Sequence, residues 1–381
     1  VSRMRTGIAD PGLYARGLPD LVQRNTRTLA LMGGADSVWV PDHLMGILPA
    51  SIWSPRHIGA TRFTPSIDGY LETWTTLGYL AAQNRLARLR LGVGVTDTGR
   101  RNPAVTAQAA ATLHLLSRGR GILGMGPGER ENNEPYGVQW DRPVARFEEA
   151  MATIRALWSS GGTPISRDSE FFPLRKAVFD VPPYRGTRPP IWIGAHGPRM
   201  LRAAGRYADA WYPAFALRPA EYARRLDQVR TAASDAGRDP QRILPAASLF
   251  VFTGVTRDSV DEAITALPAK AFALCAPAEM WKQHGAEHPL GPDFSGIQDL
   301  MPQILDEATV QSYAQKVPPT LLREVCLVGT PSEVVEQVAA WRDRGLRYAV
   351  LTNMSHLQPD MTKGMLATVP FARILRGLRR L

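Results

Sequence analysis

The sequence is poor in cysteine, with only Cys275 and Cys326 in 381 residues. Neither has the paired spacing or the flanking histidines of a structural zinc site, so no metal centre is expected. No apolar run is long enough to span a bilayer. No N-terminal stretch joins a basic start, an apolar segment and a small-residue cleavage site, and a reducing cytoplasm is the expected location. The Gly-x-Ser-x-Gly elbow, the Walker phosphate loop and the His-Glu-x-x-His pair are all missing. Hydrolysis by those devices is disfavoured.

What is present is globular material with an excess of basic charge. Hydrophobic residues make up 44% and charged residues 21%, enough for a large core and too apolar for disorder. The formal net charge of +10 raises nucleic acid or an acidic membrane surface as partners. The arginines, however, are spread along the chain, many in helix-like segments, and read as a solvated basic exterior. No nucleic-acid partner is expected, while the charge suits a phosphorylated, polyanionic cofactor.

A short apolar run, a Gly or polar break and a helix-period segment recur along the chain. Candidate strands are Thr6 to Ala9, Ser37 to Val40, Leu89 to Val95, Gly121 to Met125, Ile191 to Gly194, Ala210 to Pro213, Ala246 to Phe252 and Tyr348 to Thr352. Candidate helices include Leu18 to Met32, Pro103 to Leu116, Val144 to Trp158, Pro219 to Ala236 and Pro331 to Arg344. Asn102 before Pro103 and Thr330 before Pro331 are helix starts, because the cap side chain accepts a free N–H and proline lacks one. Eight βα repeats favour an α/β fold closed as a (β/α)8 TIM barrel, one domain over residues 1–381.

Insertions at about 44–69, 163–190 and 267–317 interrupt the repeat. The first and third carry Trp53, Phe63, Trp281, Phe294 and Met301 and read as a pocket roof over the C-terminal face. For the middle one, simple packing on the barrel or on a second copy is as good a reading as a pocket roof. The C-terminal segment sets Phe371, Ile374, Leu375, Leu378 and Leu381 on one helical face and Arg373, Arg376, Arg379 and Arg380 elsewhere. Such a helix closes the barrel or touches anionic lipid, and closure is favoured.

Barrel chemistry gathers where strands end. Asp42 and His43 follow the second strand, Thr96 to Thr98 the third, Gly126 to Glu129 the fourth and Ala195 to Arg199 the fifth. His43 suits proton donation near neutral pH, against the common case of a structural histidine. Glu129 follows a glycine-rich turn, where a desolvated carboxyl can hold a proton; the alternative is a helix-start glutamate favoured by the dipole. Glycines 124, 126 and 128 lack the full spacing of a dinucleotide fingerprint. Ala195, His196, Gly197 and Arg199 form a small-residue turn into a helix, an arrangement that binds phosphate, although Pro198 removes one N–H donor. Gly94 and Val95 suit a bulge that brings backbone close to a flat ring.

The segments Pro41-Asp42-His43, Arg100-Arg101-Asn102-Pro103-Ala104-Val105, Gln108-Ala109 and Gly124-Met125-Gly126-Pro127-Gly128-Glu129 resemble the F420-dependent members of the luciferase-like superfamily. The likeness spans essentially the whole chain. It implies an eight-stranded barrel with the deazaflavin coenzyme F420 at its C-terminal face, its phosphate near the loop after the fifth strand. It also implies a non-proline cis peptide, here between Gly94 and Val95, in the bulge that runs into Thr96. By the same resemblance Asp42 contacts the deazaflavin head and Asn132 the cofactor's polar side chain. His43 and Glu129 surround the reacting carbon, with His43 the first choice of proton donor and Glu129 the second.

Reduced deazaflavin gives hydride to a ketone, and the apolar insertions suit a lipid ketone taken from the inner membrane face. A homodimer is implied by the family. Pro127 and the sequence His196-Gly197-Pro198 depart from the family pattern and bear on cofactor contacts. Rival readings are an FMN-dependent monooxygenase on the same barrel and a non-catalytic lipid or cofactor carrier.

Overall fold

The computed structural model describes residues 3–215 and 218–381. Its strands are β1 (Arg5–Ala9), β2 (Ser37–Val40), β3 (Arg90–Val93), β4 (Gly121–Met125), β5 (Ile165–Arg167), β6 (Leu174–Ala177), β7 (Ile191–Ile193), β8 (Ala210–Trp211), β9 (Leu244–Thr253), β10 (Leu327–Gly329) and β11 (Tyr348–Asn353). Strands β1, β2, β3, β4, β7, β8, β9 and β11 pair in that order, all parallel, and β11 returns to β1. The ring is closed, and its eight members are the eight strands expected from the sequence. Strand β10 adds to the far end of β9, with Leu327 beside Val251. Strands β5 and β6 form a separate antiparallel hairpin in the middle insertion, where the sequence reading places no strand. Their short, largely exposed and polar segments carry no apolar alternation to betray them.

The helices used below are α1 (Leu21–Gly33), α2 (Thr73–Gln83), α3 (Pro103–Leu116), α4 (Pro143–Ser159), α5 (Pro198–Tyr207) and α6 (Pro219–Asp235). The two sharp starts hold. Asn102 accepts the N–H of Ala104 at 2.9 Å, and Thr330 forms a reciprocal capping box with Glu333 ahead of Pro331. The C-terminal helix Thr368–Leu378 buries Phe371, Ile374, Leu375 and Leu378 and packs on α1 and on the helix Pro331–Arg342. It closes the barrel, and Arg373 and Arg376 stay in solvent. Among the described residues no helix is long and apolar enough to cross a membrane.

Aromatic rings fill the barrel interior. Trp39 stacks on Tyr212 with centroids 5.0 Å apart and tilts against Trp192 at 4.7 Å, while Trp192 meets Tyr348 edge-on at 4.9 Å. Their polar tips are satisfied inside: Trp39 Nε1 and the Tyr348 hydroxyl both donate to Ser37 Oγ. Gly92 makes room for this plug, since a Cβ there would lie 2.5 Å from the Trp39 ring. A ligand therefore cannot enter the barrel and must sit on its C-terminal mouth.

The first and third insertions meet above that mouth. Leu48, Ile52, Trp53, Ile58 and Ile67 share one buried cluster with Phe272, Cys275, Trp281, Leu300 and Leu305. The Ser51 hydroxyl and the Leu305 carbonyl tie the two together at 2.8 Å, as do His57 and Glu307. The third insertion is largely helical, with helices Leu267–Phe272, Ala278–Gln283 and Glu307–Gln315, too short for their periodicity to show in sequence. The middle insertion leads into the opposite end of β7 and packs on the barrel through Leu174 and Phe179.

Candidate active site

Three loops deliver the polar groups of the C-terminal mouth. Beyond β2 come Asp42 and His43, beyond β3 Thr96 to Arg101, and beyond β4 the run Glu129 to Asn133. The backbone is tightly drawn between the second and third of these. The Gly94–Val95 peptide is cis, as the resemblance implies, and Thr96 bridges Met125 in parallel. A Cβ on Gly124 would lie 2.0 Å from the Val93 carbonyl, and one on Gly126 2.9 Å from the Val95 side chain. These glycines serve the close approach of β3 and β4. Gly124→Ala is expected to cost about 1–3 kcal/mol through overpacking against backbone that cannot yield, read as a lower denaturation midpoint; unchanged stability would refute the contact.

Asn132 organises the centre. It is fully buried, and its Oδ1 accepts the N–H of Leu44 at 2.6 Å. A backbone N–H only donates, so the oxygen must face Leu44 and the amide NH2 must face the other way. There Nδ2 meets His43 Nδ1 at 2.9 Å and Glu131 Oε1 at 2.9 Å, with Glu129 Oε2 at 3.5 Å. His43 Nδ1 consequently accepts, and the ring proton of the neutral imidazole sits on Nε2, 3.7 Å from Glu129 Oε2. The ring is held flat against Tyr70, with centroids 5.4 Å apart. Ligand-type atoms of His43, Glu129 and Glu131 lie within 4.8 Å of one another, but the two N–H bonds of Asn132 point into that space and oppose a cation.

Exposure separates the carboxyls. Glu129 keeps 27% of its side chain open to the mouth, whereas Glu131 is 1% exposed. Burial, and then the charge of Glu129, push the Glu131 carboxyl well above the ordinary range. Burial together with the charges of Glu131 and Glu129 also pushes the thiol of Cys275, in the third insertion, up. Sequence reasoning passed over Glu131. Its only local signal is a third carboxylate in the run Glu129-Arg130-Glu131-Asn132-Asn133-Glu134.

Asp42 is occupied by protein partners. Arg101 holds it with two hydrogen bonds of 3.0 Å, Thr96 Oγ1 donates at 2.6 Å and Arg100 lies 3.6 Å away. Burial opposes its charge, but the hydrogen bond and charge of Arg101 with the charge of Arg100 hold the carboxyl below the ordinary range. Asp97 fixes the same loop, accepting from Arg100 Nε at 2.8 Å and from Asn133 at 3.1 Å.

Beyond β7, Ala195 is buried and its carbonyl accepts from Trp211 Nε1 at 3.0 Å. His196, Gly197, Pro198 and Arg199 are exposed. Gly197 caps α5 without a side-chain acceptor, so the first N–H groups of α5 remain open to an anion. Arg199 points away from this turn and pairs with Glu148 of α4 at 2.6 Å. The basic group at the turn is Arg225 of α6, 3.3 Å from both the His196 carbonyl and its Nδ1. The α5 N–H groups and Arg225 are donors of the kind that would hold a cofactor phosphate.

The chain matches the family model described as luciferase-like monooxygenase over residues 27–348. It is 58% identical over 377 residues, 99% of each chain, to the phthiodiolone/phenolphthiodiolone dimycocerosates ketoreductase of Mycobacterium sp. (strain JLS). A solved F420-dependent secondary alcohol dehydrogenase, bound to an F420-acetone adduct, superposes with a TM-score of 0.73 at 20% identity, covering 98% of this chain and 99% of that one. The coenzyme F420-dependent tetrahydromethanopterin reductase of Methanopyrus kandleri superposes with a TM-score of 0.71 at 19% identity, covering 99% and 98%.

Proposed function

Because the chain belongs to the luciferase-like monooxygenase family, we propose that it is the member that reduces a lipid ketone, using reduced coenzyme F420. The substrate is the keto group of phthiodiolone and phenolphthiodiolone dimycocerosates, and the product is the secondary alcohol. The observation that carries this reading is identity at 58% of positions over 99% of the chain with a ketoreductase of that name, with His43, Asn132 and Glu129 assembled at the barrel mouth.

When bound, the deazaflavin supplies hydride. The residues supply the rest. His43 is held as a neutral ring by Asn132, so its Nε2–H donates a hydrogen bond to the ketone oxygen and to the alkoxide that forms there. Giving that proton away would leave an imidazolate, so a neutral histidine polarises where a carboxyl delivers. The proton comes from Glu129. This reverses the order of donors that the sequence suggests. Asp42 acts at one remove, locking through Thr96 and Arg101 the loop that would support the cofactor. Gly94, Val95 and Thr96 would hold the deazaflavin, and Asn132 fixes His43 and Glu131. Ala195, His196 and Gly197 with the α5 N–H groups hold the phosphate, helped by Arg225; Arg199 contributes through its ion pair with Glu148.

The acyl chains lie under the roof of the first and third insertions, beside the exposed Leu44. On this reading the protein works in the cytoplasm as a homodimer that meets its lipid at the inner membrane face. Mixing it with reduced F420 and a phthiodiolone-type ketone is expected to consume the reduced cofactor and yield the secondary alcohol without oxygen. Oxygen-dependent turnover with reduced FMN, and none with the deazaflavin, would establish a monooxygenase instead. Binding of both ligands with no turnover would establish a carrier.

A further inference from the structure

Glu129 opens to solvent, whereas its neighbour Glu131 is closed off from it, so a proton kept for the alkoxide is better sheltered on the neighbour. Glu131 has the surroundings of such a store. Its Oε1 accepts from Asn132 at 2.9 Å, while Oε2 is buried with no hydrogen-bond partner among the described residues. A buried carboxylate oxygen without a donor is costly; a carboxylic O–H at that position removes the charge. The groups that act on it are Glu129, Asn132 and Arg100, and it acts in turn on Tyr70, Tyr136 and Cys275. Among these only Arg100 is cationic, and Asp97 and Asp42 already engage it. His43 presents a neutral ring.

We propose that Glu131 is a positioning residue that stores the active-site proton, sharing one proton with Glu129 and holding it at rest. The inference rests on Glu129 as the group that meets the alkoxide. In the reaction the ketone carbon gains hydride from the reduced deazaflavin. The O–H bond of Glu131 breaks as one forms on Glu129, and that Glu129 O–H bond breaks in turn as the alcohol O–H forms. The separation, within 4.8 Å, is one that a single water bridges. Solvent returns the proton to Glu131 after the product leaves. Ketone, hydride and one proton give one alcohol, and the pair ends as it began.

The test is infrared spectroscopy of the whole protein, followed by kinetics. Wild type at neutral pH is expected to show a protonated-carboxyl band that shifts in D2O, persists in Glu129→Gln and disappears in Glu131→Gln. With reduced F420 and the ketone, Glu131→Gln is expected to lose at least about tenfold in kcat. The loss should shrink as the pH is lowered and solvent protonates Glu129 directly, while KM and cofactor affinity stay near wild type. Glu131→Asp should recover part of the rate. Absence of the band in wild type, its survival in Glu131→Gln, or a wild-type rate and pH profile in that variant would each overturn the proposal. If Glu131→Gln does not fold, the band in wild type and in Glu131→Asp decides. The band is read without turnover, so a protein that shows it but fails to use F420 refutes the proposed activity and not the stored proton.

Discussion

Replacing His43 by alanine is expected to lower kcat about 10²–10³-fold, the usual effect of removing one donor to a developing oxyanion. Binding of the reduced cofactor should change little. The ring is set for this task from 89 residues away, because the Leu44 N–H fixes the Asn132 amide and the amide fixes the imidazole tautomer. Glu129→Gln should cost about 10²–10⁴-fold, since the proton itself is lost. The two variants differ in kind. His43→Gln still offers an N–H and should recover part of the alanine loss, whereas no neutral replacement of Glu129 can supply a proton. If His43 were the acid, His43→Gln would be as poor as His43→Ala and Glu129→Gln would remain active. Steady-state kinetics with single-turnover measurements of cofactor oxidation separate these outcomes.

Asp42→Ala should be the most destabilising change near the site. The carboxylate is 3% exposed and joins Arg101, Arg100 and Thr96. Its removal leaves Arg100 with Asp97 and Arg101 with the half-exposed Glu72 as their remaining carboxylate partners. Breaking a buried pair from one side costs about 3–5 kcal/mol, and Arg101, still 24% exposed, brings the value toward the lower end. Asp42→Asn, which keeps a hydrogen-bond acceptor for Thr96, should fall between. The pH dependence has a definite sign. The folded carboxyl titrates below the unfolded one, so its contribution is fully present above the unfolded pKa of about 3.9 and is lost as pH falls through the folded value. The gap between wild type and Asp42→Ala in chemical denaturation should therefore close in acid. A gap that stays constant down to low pH would show that the network is not electrostatic.

Much of the barrel is legible in the residues themselves. A strand such as Ser37–Val40 or a helix such as Pro103–Leu116 is specified by residues within a few positions of one another, through apolar period, cap and proline. The same local reading brings Asp42, His43 and Glu129 to strand ends, where barrel chemistry is done, and the family resemblance adds Asn132. Partnership is a different matter. Asp42 reads as a ligand contact until Arg101, 59 residues on, is seen to hold it. Arg199 reads as the phosphate cation, yet the direction of α5 turns it to Glu148, 51 residues back, and leaves Arg225 at the turn.

By itself the sequence determined the eight strands, the sharp helix starts and which polar residues reach the barrel mouth, because these depend on near neighbours along the chain. Only the tertiary structure decided the tautomer of His43, the burial of Glu131 and the pairing of Asp42. Those depend on which distant loop comes to lie alongside, and on how much water it removes from the charge.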